Sequence, residues 1–292
     1  MKGLKGVFAV TFTSFKDNED LDEETLRLHL DFLVESGVHG VIPNGTTGEF
    51  ASLSEAERKK NVEITIDEIN GRIPVVCCTS ENSTRETMML AKHAEDAGAD
   101  GLMILTPYYC RPNEEEVFEH FKAVGEAVNI PIMIYNNPWT TGVDIKPELV
   151  ARLAKIDNIC CIKEASAQLE RVHQIIDLCG EDMTVFCGWE TISLESFMHG
   201  AKGWVAACAN VIPKECVELF SFVESGKIKE ALRLYYKIMP FLRFTVEREI
   251  PRKKASLELL GHRIGSPRRP LLPADGQEKK ILKKCLLEIG LV

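Results

Sequence analysis

A lysine that closes an apolar run is the residue whose placement most needs a chemical explanation. The run is Ile159-Cys160-Cys161-Ile162-Lys163-Glu164-Ala165-Ser166. Read as a strand, it puts Ile159, Cys161 and Lys163 on one face. A lysine so placed is partly desolvated, which disfavours the ammonium and favours a free, nucleophilic amine. The other reading is a lysine that snorkels to the rim or pairs with Glu164. Lys163 alone does not decide between them.

Three further segments carry reactive or anion-holding groups. Ile132-Met133-Ile134-Tyr135-Asn136-Asn137-Pro138 places Met133 and Tyr135 on one strand face, so a phenol ends that strand. A phenol there could move protons to and from a carbinolamine or a developing carbanion, or simply meet water at a rim. Asn44-Gly45-Thr46-Thr47-Gly48-Glu49 offers two hydroxyls and several backbone N–H groups in a glycine-bracketed turn. Such a turn can cradle a carboxylate or phosphate, or can be a plain lead into the next helix. Thr106-Pro107-Tyr108-Tyr109-Cys110-Arg111-Pro112 sets two tyrosines on a proline-bounded loop, suited to a site or to an interface between subunits. Taken together, an amine, phenols and a carboxylate cradle are what imine formation with a 2-oxo acid requires. The protonated imine is then the electron sink for making or breaking the adjacent bond.

The elements that must position these groups are short and regularly spaced. Strand candidates are Val7–Thr11, Gly40–Pro43, Pro74–Thr79, Gly101–Thr106, Pro131–Tyr135, Ile159–Lys163, Thr184–Gly188 and Gly203–Ala207. Amphipathic stretches separate them, as in Leu26, Leu30, Leu33 and Val34, and Ser54-x-x-Glu57 is a capping box. Eight βα units with nearly continuous apolar strands predict a parallel (β/α)8 TIM barrel with strand-end chemistry. An open doubly wound sheet is less favoured, because no Gly-x-Gly-x-x-Gly follows a strand. From Pro213 onward the pattern is helical: Pro213–Ser225, Ile228–Glu247, a shorter piece near Lys253–Leu260, and Gly276–Ile289. The expected organisation is a catalytic barrel over residues 1–224 and a helical extension over 225–292 packed on it.

The bulk of the 292 residues excludes several function classes. Hydrophobic residues are 45% and charged residues 27%, ordinary for a globular chain with a large core. No apolar stretch approaches the roughly 18–20 residues of a membrane helix. The start of the chain reads as a first strand rather than a cleavable leader, so the expected location is the cytoplasm. A net charge of −9 argues against nucleic acid as a partner. The ten cysteines include no Cys-x-x-Cys, and Cys77-Cys78 and Cys160-Cys161 read as small buried hydrophobes. All seven histidines fall on helices or turns rather than strand ends, so neither a metal nor another cofactor is expected. Lysines other than Lys163 fall mostly on helix surfaces or in turns.

At this point the motifs match a known family. Gly45-Thr46-Thr47-Gly48-Glu49, Thr106-Pro107-Tyr108-Tyr109, Tyr135-Asn136-x-Pro138 and Lys163-Glu164 occur in one order and spacing. In this the chain resembles, over essentially its whole length, the dihydrodipicolinate synthase and N-acetylneuraminate lyase superfamily of class I aldolases. The resemblance implies that Lys163 forms the Schiff base and that Tyr135 is the proton-transfer phenol. It implies that Thr47 and Tyr109 complete the relay, Tyr109 from a neighbouring subunit, and that Thr46 and Thr47 hold the substrate carboxylate. Gly188 and Val205 would line the pocket, in a homotetramer built as a dimer of dimers.

The sequence also departs from the family. Thr140 stands where synthases usually carry an arginine for the aldehyde substrate's carboxylate, Trp189 where they often carry an acid, and Cys110 where an asparagine is usual. Losing that bidentate cation predicts poorer use of aspartate semialdehyde. It favours a catabolic aldolase or dehydratase on a 2-keto-3-deoxy sugar acid, or a pyrroline-4-hydroxy-2-carboxylate deaminase. A non-catalytic scaffold or sensor is the alternative from another class. The intact lysine, tyrosine and threonine set speaks against it.

Overall fold

The computed structural model describes residues 4–292; Met1, Lys2 and Gly3, which open the stretch read against a leader, lie outside the described residues. Its strands are β1 (Gly6–Val10), β2 (Gly40–Ile42), β3 (Val76–Cys78), β4 (Gly101–Leu105), β5 (Ile132–Asn136), β6 (Ile159–Glu164), β7 (Thr184–Cys187) and β8 (Gly203–Ala206). The eight form one sheet in the order β2-β1-β8-β7-β6-β5-β4-β3, and each pairing with a recorded register is parallel. Helices fall between them: α1 (Glu23–Glu35), α2 (Glu55–Ile69), α3 (Thr84–Ala97), α4 (Glu114–Ala127), α5 (Pro138–Thr141), α6 (Pro147–Leu153), α7 (Glu170–Cys179) and α8 (Ser193–Met198). Four more follow β8: α9 (Pro213–Glu224), α10 (Ile228–Val246), α11 (Glu249–Leu259) and α12 (Gly276–Ile289). This is the expected (β/α)8 barrel with C-terminal helices.

The strands form because their residues are buried on both faces, as a parallel sheet covered by helices demands. Every residue of β4, β5 and β6 is buried, Lys163 and Glu164 included. The chain consists of two compact units, one of residues up to Gly6 with Pro74–Val205, the other of Val7–Ile73 with Ala206–Val292. In the first unit, hydrogen-bonded neighbours align Leu105, Tyr135, Lys163 and Phe186 in one row across β4 to β7.

In the second unit the capping box at Ser54 and Glu57 opens α2 as the sequence predicts. One helix start differs. The pattern suggested a piece beginning near Lys253, but α11 begins at Glu249. Arg248 adopts a left-handed backbone (φ 49°) that separates α11 from α10. Pro251 then falls within the first helical turn, where its missing N–H would have no intrahelical partner anyway. Lys253 and Lys254, on a helix where the sequence suggested surface lysines, are 0% and 1% exposed. Nine cysteines are buried and Cys110 is exposed, and all ten are free thiols.

Candidate active site

Lys163 and Tyr135 meet at the ends of adjacent strands. The Lys163 ammonium lies 3.9 Å from the centre of the Tyr135 ring, and both residues are buried. Over a ring face a protonated amine is attracted by the aromatic quadrupole, which orients it. Asn137 Nδ2 donates to the Tyr135 hydroxyl at 3.0 Å. The phenol accepts there, so its own hydrogen remains available as a donor.

Gly188, just beyond β7, leaves the space Lys163 needs. Its N–H donates to Glu164 O at 2.7 Å, and a Cβ at this position would stand 2.8 Å from both Lys163 Cγ and Ala165 Cβ. Any side chain there would push the lysine stem aside. Val205 is buried at the end of β8.

On the opposite strand face, one residue further along, lies a polar clamp. Asn136 Nδ2 donates to Glu164 Oε2 (3.0 Å) and to Asp144 Oδ1 (3.2 Å), and Asn136 Oδ1 accepts the Ile145 N–H (3.0 Å). Glu164 Oε1 accepts the Ser166 N–H at 2.6 Å, and Arg171 pairs with Asp144 at 2.8 Å. Burial pushes the Glu164 carboxyl above its usual range, against the hydrogen bonds from Asn136 and Ser166. The clamp fastens the ends of β5 and β6 to α7 and to the loop before α6, fixing the row that carries Tyr135 and Lys163.

The loops around this pair carry the other expected residues of the first unit. Trp139 is 71% exposed, its Nε1 donates to Ser166 O at 3.1 Å, and its ring centre is 6.2 Å from that of Trp189. Thr140 is exposed on α5, its N–H donating to Asn137 O. At the far end of that turn, a Cβ on Gly142 would stand 3.0 Å from Arg111 Nε. Tyr109 is 89% exposed, and its backbone N–H donates to Asn82 Oδ1 at 3.0 Å.

Thr46 and Thr47 lie in the second unit, after β2. The turn around them is tight: Asn44 and Glu49 both have φ 59°, and a Cβ on Gly48 would stand 2.9 Å from Thr11 O. Thr13 Oγ1 donates to Gly48 O at 2.6 Å. Among the described residues the Thr46 hydroxyl, screened from solvent, has no hydrogen-bond partner. Such an orphaned donor suits a carboxylate guest. Thr47 Oγ1 donates to Glu249 Oε1 at 2.6 Å.

Glu49, next in the chain, pairs with the buried Lys254 ammonium at 2.7 Å and accepts the Arg268 N–H at 2.8 Å. Lys254 donates also to Thr13 O at 2.8 Å. Burial pushes the Lys254 ammonium below its usual range, with Glu49 opposing.

Among the described residues, no cluster of three or more His, Cys, Asp or Glu side chains could hold a metal ion, and no helix is long and apolar enough to cross a membrane. The model of the dihydrodipicolinate synthetase family matches residues 3–289. The chain belongs to that family.

Relatives agree with the family model. The 4-hydroxy-tetrahydrodipicolinate synthase of Methanothrix thermoacetophila is 42% identical, over 98% of this chain and 97% of its own length. That of Syntrophus aciditrophicus is 40% identical, over 99% of each. The crystal structure of dihydrodipicolinate synthase from Thermotoga maritima superposes with a TM-score of 0.95 at 34% identity, covering 99% of both chains. As a dihydrodipicolinate synthetase family member, the chain is an enzyme of the Schiff-base-forming lyase class.

Within the first unit the structure brings Lys163, Tyr135 and Gly188 together and leaves Tyr109 and Thr140 at the surface. The sequence reading assigned no role to Asn137, Glu249 or Lys254. Asn137 was visible as the variable position of Tyr-Asn-x-Pro, but nothing in the string links it to the phenol. Glu249 and Lys254 lie about 200 residues from the turn they hold, beyond the reach of any spacing argument.

Proposed function

We propose that the chain is a 4-hydroxy-tetrahydrodipicolinate synthase, which condenses pyruvate with aspartate semialdehyde through an imine on Lys163. The observation that carries this reading is the buried Lys163 ammonium poised over the Tyr135 ring at the strand ends. In this mechanism Lys163 first releases its extra proton to solvent, and the free amine adds to the pyruvate carbonyl carbon, giving a carbinolamine. Tyr135 donates the proton that lets water leave. The cationic imine acidifies the methyl group, the Tyr135 phenolate left by that donation takes one methyl proton, and the resulting enamine carbon attacks the aldehyde carbon. General acid–base transfer of this kind contributes about 10²–10⁴ in rate.

The family resemblance assigns the pyruvate carboxylate to the Thr46 and Thr47 hydroxyls and the turn's N–H groups. It assigns proton relay to Thr47 and to Tyr109 of a neighbouring subunit in a homotetramer. The 89% exposure of Tyr109 within one chain supports that assembly.

Relatives named as synthases, 35–42% identical over nearly their whole length, support aspartate semialdehyde as the second substrate. Thr140 supplies no cation for its carboxylate, but the Arg111 guanidinium lies against Gly142 on the same turn and can serve instead. A second reading, a catabolic enzyme for a 2-keto-3-deoxy sugar acid or a pyrroline carboxylate, is favoured by Thr140 together with the Trp139–Trp189 pair.

Borohydride reduction in the presence of pyruvate should leave a stable adduct on Lys163, and Lys163→Ala should lose both label and turnover. A peptide map placing the adduct on another lysine would overturn the mechanism. kcat/KM for aspartate semialdehyde, compared with that for such sugar acids, separates the two substrate readings. Arg111→Ala should raise KM for the semialdehyde roughly 10-fold, the scale of one lost charge-assisted bond.

A further inference from the structure

Thr47 is held by a carboxylate from the C-terminal helices. Its Oγ1 donates to Glu249 Oε1 at 2.6 Å, a short bond of the kind made to a charged acceptor. Glu249 is itself fixed. It opens α11 directly after the left-handed Arg248, so its position is set by a helix start rather than by a mobile loop. Its second oxygen, Oε2, faces the buried Lys253 ammonium at 3.5 Å. The first turn of a helix also favours a negative charge. The carboxylate therefore divides its two oxygens between a lysine and the threonine hydroxyl.

A hydroxyl has one hydrogen and two lone pairs. Once that hydrogen is committed to Glu249, the Thr47 hydroxyl can only accept from any other partner, so a carboxylate at this turn falls to the Thr46 hydroxyl and the backbone N–H groups. We infer that Glu249 is a positioning residue for the reaction: it fixes the direction of the Thr47 hydroxyl and commits Thr47 to accept a hydrogen bond from the next member of the proton relay. This rests on the reading of Thr47 as a relay residue. Without Glu249 the hydroxyl becomes a free rotor that spends part of its time as a competing donor, and proton transfer slows while substrate loading does not.

A double-mutant cycle tests this in steady-state assays of the full chain. Thr47→Val should lower kcat roughly 10²-fold. Glu249→Ala should lower kcat roughly 10-fold with little change in KM for pyruvate. Glu249→Gln, which keeps an acceptor oxygen, should recover most of that loss. In the Thr47→Val background, Glu249→Ala should cost less than about 2-fold, because the group it orients is gone. Borohydride trapping of pyruvate on Lys163 should match wild type in Glu249→Ala and Glu249→Gln, which shows that they are folded and load substrate; Thr47→Val, which alters the cradle itself, is checked for folding by its urea midpoint.

A Glu249→Ala enzyme with wild-type kcat overturns the inference while leaving the relay reading intact, provided Thr47→Val is slow. A loss that persists undiminished in the Thr47→Val background does the same, because it marks a structural effect. Wild-type kcat in Thr47→Val overturns the relay reading itself, and the role of Glu249 with it.

Discussion

The two groups of site residues are held in place by different kinds of interaction. Lys163 and Tyr135 stand on neighbouring strands, 28 positions apart, like the pair Asn136 and Glu164 behind them. Backbone pairing of β5 with β6 sets their register, and a neighbouring polar clamp locks it. The turn that carries Thr46 and Thr47 has no strand of its own. It is gripped by Glu249 from 202 positions away, and Glu49 beside it is gripped by Arg268 from 219. Chemistry built on strand ends inherits rigidity from the sheet. Chemistry built on a turn needs side chains brought from elsewhere, and the C-terminal helices supply them. The extension after β8 is in this sense part of the equipment of the second unit rather than an ornament on a finished barrel.

If the comparison holds, changes at the strand-end pair strike turnover alone, while changes in the ion pair that grips the turn beside Thr47 strike stability. Tyr135→Phe should lower kcat by about 10²–10⁴ with no change in the denaturant midpoint. A large fall in the midpoint would show that the phenol holds the sheet together. Lys254→Met should cost about 3–5 kcal/mol in urea unfolding, because the buried Glu49 carboxylate loses its cation. A variant of unchanged stability would mean that water replaces the ammonium, and that the turn is held by Arg268 and Thr13 alone.

Acid sharpens the same contrast. Burial pushes the His29 imidazole, in the second unit, down to about 4 from its usual 6.5, and its Nε2 meets Asn210 Oδ1 at 2.8 Å. The folded state therefore refuses a proton that the unfolded chain accepts. The associated stability is fully present above pH ~6.5 and is lost as pH falls toward ~4, about 3 kcal/mol in all. The urea midpoint should fall between pH 7 and pH 5, and less steeply in His29→Gln. Equal slopes for the two proteins would contradict the buried neutral imidazole. The smallest effect should come from Ser54→Ala. It removes one capping bond of α2 and should cost about 1 kcal/mol without altering kcat. A fall in kcat would tie α2 to the threonine turn more closely than the comparison allows.

How much of this was legible in the string follows from the same distinction. Strand order, the Tyr135–Lys163 row and the capping box at Ser54 are written in periods of two and four residues, so they could be read directly. The boundary between α10 and α11 was misread because it depends on the left-handed Arg248, which no periodicity announces. Lys253 and Lys254 resemble solvent-facing lysines until the fold supplies their partners. Glu49 for Lys254 is a pairing across 205 positions, and no local rule can propose it. Thr140 marks the opposite case. The substitution was visible, while the Arg111 side chain beside Gly142 was not, because two loops must fold before they touch.

The distribution of thiols turns the protein into its own reporter. Cys110 sits beside Tyr109 on the loop after β4, and it is the one exposed cysteine among ten. A maleimide fluorophore added under native conditions should attach once, on the loop proposed to face a neighbouring subunit, so its emission would register assembly without mutagenesis. The other nine thiols are shut away in the interior. Their slow reaction with a second, colorimetric reagent would then count openings of the interior one by one.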